Sequence, residues 1–477
     1  MKEWIYSIIK FHVQVKLYKS GGEKEMKVKS SFSGRIGFVL AAAGSAVGLG
    51  NLWRFPYLAA KYGGGTFLLI YLLLSVTFGF ALLITEISIG RKTGKSALYA
   101  FKQLHKKSGM IGWLASIVPV LILPYYCVIG GWVVKYAWVF LTGQGKDAVA
   151  DDYFSGFISQ TGEPIVWLLV FVLATTVVIL LGVEKGIENI SKVLMPLLIV
   201  LSIVIAGFVV TRPGATDGLI YYLKPDFNKI SGNAFLAALG QLCYSMSLAM
   251  GIMITYGSYL PKDEDIESSV RNIEIFDTGI AFLAGLMIVP AVFVFSGGDQ
   301  SALEAGPTLM FITLPKVFSS MPGGNILGTA FFVLVLFAAL TSAISIMETV
   351  VSILLDRFHG KGRTTIAMLV TIYAIIMAIP SSLGLGVWSH INIHGLSILD
   401  MFDFVTNSVL MPIVAFLTCV FVGFVLKPKV VTEEVESSTN SFKSKRMYVL
   451  LIKYVSPILI LLILISSILN TCGIISL

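Results

Sequence analysis

Apolar residues gather in eleven long runs separated by short polar stretches. The runs lie near 36–59, 64–90, 111–141, 164–182, 187–211, 232–259, 270–297, 325–356, 364–380, 396–426 and 447–471. A helix needs roughly 20 apolar residues to cross about 30 Å of hydrocarbon, so the pattern predicts an all-α polytopic membrane protein with eleven transmembrane helices. Several runs exceed that minimum, which predicts tilt or extension beyond the bilayer. The first run is interrupted by Gly44-Ser45-Ala46-Val47-Gly48-Leu49-Gly50-Asn51 and the sixth by Ser245-Met246-Ser247-Leu248-Ala249-Met250-Gly251. Glycine and serine weaken helix continuity, and unwound backbone at membrane depth is tolerated where it lines a cavity. The two interruptions are five runs apart, an odd offset that would invert the second half relative to the first, as in a five-plus-five inverted-repeat transporter. Small residues that let helices pack closely fit the same pattern.

The polar stretches give an orientation. Arg91, Lys92, Lys95, Lys102, Lys106 and Lys107 follow the second run, and Arg357, Lys361 and Arg363 follow the eighth. The stretch after the third run offsets Lys146 with Asp147, Asp151 and Asp152, and the stretch after the ninth has no Lys or Arg. Cationic loops stay in the cytoplasm. The N-terminus is therefore expected inside and the C-terminus outside. The expected organisation is a cytoplasmic tail at 1–30, a first repeat at 31–211, a second at 212–427, a cytoplasmic loop at 428–446 and a last helix at 447–477.

Composition agrees. The chain has 477 residues, of which 56% are hydrophobic and 13% charged, more apolar surface than a soluble domain can cover. The net charge of +8 reads as the Lys and Arg excess of cytoplasmic loops and not as nucleic-acid binding. Cys127, Cys243, Cys419 and Cys472 lie in or beside apolar runs without metal-ligand spacing, so they are expected to pack. Residues 1–25 carry no small-residue cleavage site. Met26 fits a physiological start, and a cytoplasmic tail fits equally well. Neither H-E-x-x-H nor G-x-S-x-G occurs at membrane depth, so no enzyme is expected.

The string from Gly44 to Tyr57, with Asn51-Leu52-Trp53-Arg54-Phe55-Pro56 at its centre, resembles the first-helix signature of the neurotransmitter:sodium symporters, in particular bacterial leucine-transporter-like members. Gly63-Gly64-Gly65, Glu86, Gly90-Arg91, Tyr125-Tyr126, Gly240-Gln241 through Ser247, and Leu340-Thr341-Ser342 follow in the family's order. The resemblance runs from about Ser33 to the end of the tenth run. It implies a fold with helices one and six broken at the midplane and sodium (Na+) as the coupling ion. Sodium is a hard cation that takes oxygen ligands. The resemblance implies one sodium site from the Ala46 carbonyl, Asn51, Ser245 and Asp277. A second would use the carbonyls of Gly44, Val47 and Ala338 with the hydroxyls of Thr341 and Ser342. Asp277 is the most informative of these, because a carboxylate in a span is costly and by default functional. Many animal relatives lack an acid here and use chloride, so a fixed acid implies independence from chloride.

The resemblance also places a substrate carboxylate on backbone near Gly50 and on the Tyr126 hydroxyl, with Ala46 and Ser245 beside it. Amine carriers of the family hold an Asp where this chain has Gly48, so the substrate is expected to bring its own carboxylate. Ile122, Tyr244, Ser247, Met250, Ser342 and Ile346 would receive its side chain. These are mostly apolar and none is charged, which favours a neutral amino acid, aliphatic or aromatic. Arg54 and Asp403 match an outer charged gate with Tyr126 and Tyr244 below it. Lys29 and Asp356 match an inner gate near Tyr259. Lys29 stands where the family has Arg, and lacks its bidentate fork; Phe32 stands where the family has Trp. Ala249, where glycine is common, is expected to limit unwinding. Other coupling ions, or a sensor that binds without transporting, fit the same fold. The short stretch after the third run points to a prokaryotic inner membrane. The sequence does not specify the oligomeric state or the particular amino acid.

Overall fold

The computed structural model describes residues 31–296, 307–392, 395–439 and 441–471. Within these, nine helices are long and apolar enough to cross a membrane: Gly65–Thr93, Lys106–Leu141, Glu163–Leu181, Val183–Val210, Ile266–Ser296, Gly324–Arg357, Arg363–Leu383, Ile398–Val425 and Lys445–Ser466. A tenth span is the bent pair Arg35–Ala46 and Gly50–Lys61, which turns by 53°. Gly232–Ser245 and Ile252–Gly257 flank a second break and complete eleven spans among the described residues. The spans below are numbered in that chain order, the bent pair being span one and the pair at 232–257 span six. Ser31–Leu477 form one compact unit.

Of the nine unbroken spans, three and eight are the most enclosed. Outward rows such as Val193, Leu197, Val200 and Val204 on span five are exposed and apolar, as a lipid-facing surface requires. Close approach inside depends on small residues. A Cβ at Gly90 would lie 1.9 Å from the Ile254 carbonyl oxygen, so only glycine lets span two meet the inner half of span six. Cys127, Cys243 and Cys419 are unbonded, and Cys472 lies outside the described residues.

Each break supplies partners for the backbone groups it frees. Span one ends its first half with Val47 in an extended conformation, and the Gly48 N–H donates to Asn51 Oδ1 at 3.1 Å. In span six Ser247 and Ala249 sit at φ 52° and 60°, a left-handed region that non-glycine residues rarely occupy. Ala249 therefore does not limit unwinding as expected. Its N–H donates to Glu86 Oε1 at 2.7 Å, a bond that anchors the strained turn to span two.

The stretch read as a loop at 428–446 contains the helix Lys429–Thr439, with Val431 and Val435 buried one turn apart. Glu434 fixes it: Arg91 Nε lies 2.9 Å away and Lys262 Nζ 2.8 Å away. A mostly polar helix gives no apolar periodicity strong enough to announce itself, and this one is held by ion pairs.

Candidate functional site

Asp277, in span seven, is fully buried. Its Oδ1 accepts from Ser245 Oγ at 2.7 Å and Asn51 Nδ2 at 2.8 Å, and its Oδ2 accepts from Tyr71 Oη at 3.1 Å. One carboxylate thus ties both breaks to spans two and seven. No cationic side chain pairs with it among the described residues. An unpaired carboxylate in a low-dielectric interior is expensive, and the neutral oxygens around it suit a small monovalent cation. No cluster of three or more His, Cys, Asp or Glu exists among the described residues, so the donor set is not that of a transition-metal centre. Asn51, Ser245 and Asp277, expected to share a sodium ion, are brought into one cluster, and Ala46 borders the adjoining cavity.

A second oxygen cluster joins span one to span eight. Ser342 Oγ lies 3.1 Å from the Ser45 carbonyl oxygen and 3.4 Å from those of Gly44 and Val47. Thr341 Oγ1 donates to the Phe337 and Ala338 carbonyls at 3.0 and 3.1 Å. Gly44, Val47, Ala338, Thr341 and Ser342 therefore meet where the first helix unwinds. Its freed carbonyls are the feature that supplies oxygen ligands at membrane depth.

Between the two clusters lies a small cavity, about 30 Å³, lined by Ala46, Gly50, Ile122, Tyr126, Tyr244, Ser245, Ser247, Met250, Ser342 and Ile346, together with Ser45, Gly48 and Leu49. Each residue expected to touch substrate is on this wall, and no charged side chain is. The Tyr126 hydroxyl is buried and makes no well-formed hydrogen bond among the described residues, with Ser342 and the Leu49 backbone beside it. A Cβ at Gly48 would fall 2.7 Å from Ser342 Oγ and 3.4 Å from Tyr126 Oη. Position 48 therefore faces both the second oxygen cluster and the Tyr126 hydroxyl.

Residues 29–146 and 152–474 match the model of the sodium:neurotransmitter symporter family. The chain belongs to that family. The symporter is similar to the uncharacterized sodium-dependent transporter YhdH of Bacillus subtilis, 36% identical over 93% of this chain and 98% of that protein. It is also similar to an uncharacterized sodium-dependent transporter of Haemophilus influenzae, 35% identical over 92% and 98%. Among solved structures, MhsT in complex with L-phenylalanine superposes with a TM-score of 0.83 at 36% identity, covering 92% of this chain and all 100% of that one. The all-α broken-helix fold read from the sequence agrees with these likenesses.

The residues expected to form gates are only partly brought together. Arg54 and Asp403 form no ion pair. Arg54 instead lies over the Tyr244 ring, 5.6 Å from its centroid, and Asp403 accepts from Asn407 Nδ2 at 2.6 Å. Lys29 lies outside the described residues. Asp356 accepts from the Ser96 N–H at 2.7 Å and meets Lys95 Nζ at 3.5 Å, which caps the short helix Ala97–Leu104. Tyr259 donates to Glu348 Oε1 at 2.8 Å. Glu348 in turn is gripped by Arg363, whose Nη1 is 2.9 Å from Oε1, while Arg363 also reaches the Ile179 carbonyl at 3.2 Å. Phe32 packs edge-on against Tyr256 and Tyr259 with centroids at 5.6 and 6.3 Å.

Five further participants are given no role by the sequence alone, although Ser45 and Gln241 lie within the motif strings. Tyr71 reads as core. Gln241 donates to the Gly50 carbonyl at 2.9 Å, and Ser45 exchanges bonds with Ser247 across the two breaks at 3.0 and 3.2 Å. Glu348 is visible as an acid within an apolar run. Its partner Arg363 reads only as a loop cation.

Proposed function

We propose that this symporter couples sodium entry to the uptake of a neutral amino acid with an apolar or aromatic side chain. It would act by alternating access across the cytoplasmic (inner) membrane, with the N-terminus inside. The observation that carries the reading is the cavity at the two helix breaks. It presents the Tyr126 hydroxyl, buried and without a well-formed hydrogen bond, and no charged side chain. An unmet buried polar group costs roughly 1–3 kcal/mol, and a substrate carboxylate would relieve it. Gly48 supports the same inference, because it leaves no acid to receive a lone ammonium group. Ile122, Met250 and Ile346 offer an apolar wall, and methionine adapts to varied shapes. That MhsT, a similar chain, was crystallised with L-phenylalanine favours an aromatic substrate here.

In this reading the Asn51, Ser245 and Asp277 cluster holds one sodium ion, whose shell the substrate carboxylate completes. The Gly44, Val47, Ala338, Thr341 and Ser342 cluster holds a second. Arg54 and Asp403 close the outer side with Tyr126 and Tyr244 beneath them, and Lys29, Asp356 and Tyr259 close the inner side. The test is uptake of a panel of labelled amino acids into proteoliposomes under an imposed sodium gradient. Sodium-driven uptake of phenylalanine, tryptophan or leucine supports the reading. Equal uptake in potassium or choline buffer, or preference for glutamate or lysine, overturns it.

A further inference from the structure

A second cavity, of about 440 Å³, opens where spans two and three connect and span eight ends. Its wall carries Lys102, Lys106, Lys107 and Arg357, with Tyr99 and Trp113 between them. None of the four cations makes an ion pair among the described residues, and no acid lines the cleft. Asp356, next to Arg357 in sequence, is turned to Lys95 and the Ser96 N–H. Four like charges around one cleft repel, so the arrangement favours an anion. Two features of the rim favour an anion attached to a membrane. Trp113 is 56% and Met110 is 64% exposed, and both project from the first turns of span three, where the helix enters the bilayer. The short helix Ala97–Leu104 lies beside them with Ala97, Ala100 and Phe101 buried and Lys102 exposed. Tryptophan belongs at the headgroup level, and basic pockets between spans on the cytoplasmic side suit phosphate-bearing head groups.

We propose that this cleft binds the phosphate of an anionic phospholipid, with Lys102, Lys106, Lys107 and Arg357 around the head group and Trp113 and Met110 against its first acyl carbons. The leaflet is the cytoplasmic one, which rests on the orientation proposed above. A bound lipid would join the connection between spans two and three to the end of span eight, the span that carries Thr341 and Ser342.

The test uses the purified full chain in detergent, with retained phosphatidylglycerol counted by native mass spectrometry. The parent should retain phosphatidylglycerol but not phosphatidylcholine. At about fivefold per lysine near a membrane surface, Lys102→Ala/Lys106→Ala/Lys107→Ala should weaken retention about a hundredfold. A control with Lys361→Ala/Lys427→Ala/Lys429→Ala should retain it like the parent. Brominated phosphatidylglycerol in vesicles should quench a component of the fluorescence that Trp113→Phe removes. Three results overturn the proposal: undiminished retention by the first triple variant, equal loss in the control, or displacement of the lipid by inorganic phosphate, which would mark a site for a soluble anion. The leaflet is tested separately. Lys107→Cys in a cysteine-free background should react with an impermeant maleimide only in inside-out vesicles. Labelling from the outer face overturns the orientation and leaves the lipid measurement standing.

Discussion

Gly48→Ala tests whether position 48 controls both the second oxygen cluster and the substrate hydroxyl. The backbone at Gly48 is not in the left-handed region, so an alanine is strained only by what its Cβ meets. That atom would sit 2.7 Å from Ser342 Oγ, well inside van der Waals contact. Ser342 must rotate away, and its Oγ then leaves the three carbonyls it now faces at 3.1–3.4 Å. Overpacking of this kind costs about 1–3 kcal/mol, which appears as about a 5- to 150-fold loss in apparent affinity. The assay is equilibrium binding of a labelled neutral amino acid across a sodium titration, with a thermal melt to confirm that the variant is folded. Sodium affinity and substrate affinity should fall together. The effect should also depend on the Ser342 hydroxyl. With Ser342→Ala in place, the nearest atom of that residue is its Cβ at 3.6 Å, an ordinary contact, so adding Gly48→Ala should cost much less. A double-mutant cycle reads that coupling. Equal penalties in both backgrounds, or parent-like sodium dependence in Gly48→Ala, would refute the reasoning.

Three further outcomes are expected. Tyr126→Phe should lower amino-acid affinity by about 1–3 kcal/mol with little change in melting temperature, because the hydroxyl makes no well-formed hydrogen bond among the described residues; unchanged affinity in a competition assay would show that it does not meet the substrate. Uptake should proceed at full rate when chloride is replaced by gluconate, since the Asp277 carboxylate supplies the fixed negative charge, and Asp277→Ser should introduce chloride dependence. Glu348→Gln should destabilise the fold by about 3 kcal/mol by leaving Arg363 without its carboxylate, and Glu348→Gln/Arg363→Met should recover much of that in a thermal melt; a single variant that melts with the parent would remove the ion pair from the structural account.

The bilayer makes much of this fold legible. Hydrocarbon demands long apolar runs, so the spans stand out, and it tolerates broken helices only under protection, so Gly44–Gly50 and Ser245–Gly251 stand out as well. Legibility ends where the hydrocarbon ends. Span three begins at Lys106 and span seven at Ile266, before the apolar runs do, because a helix can continue into water at no cost that hydropathy registers. The helix Lys429–Thr439 was hidden for the same reason. At the site, residues in an ordered motif could be located, whereas Tyr71 could not. A buried tyrosine looks the same in sequence whether it packs or holds a carboxylate. Ala249 misled in the other direction: its own preference is against a left-handed backbone, and the bond from its N–H to Glu86, a residue far away in sequence, overrides that preference. The outer gate is a matter of conformation. Arg54 and Asp403 can be identified as candidates, but residue identity does not determine whether they meet.

The sites are physically linked by one stretch of unwound chain. The Ser45 carbonyl accepts from Ser342 in the second oxygen cluster at 3.1 Å and from Ser247 on the cavity wall at 3.0 Å. Two residues further along, the Val47 carbonyl faces Ser342, while Asn51 holds the Gly48 N–H and the Asp277 carboxylate at once. An ion drawing on the carbonyls of 44–47 competes with Ser342 for the same lone pairs, so it biases where that stretch sits. A substrate carboxylate near Gly50 biases it again from the other end. Two ligands that favour the same arrangement of one element must each raise the affinity of the other by the same factor. If the two clusters hold sodium as proposed, the residues at the two breaks would provide a direct route for sodium–substrate coupling, over a few bonds and without a distant pathway. In the proposed reading, the buried, cation-free surroundings of Asp277 would favour a cation there, and the poorly satisfied Tyr126 hydroxyl would favour a carboxylate.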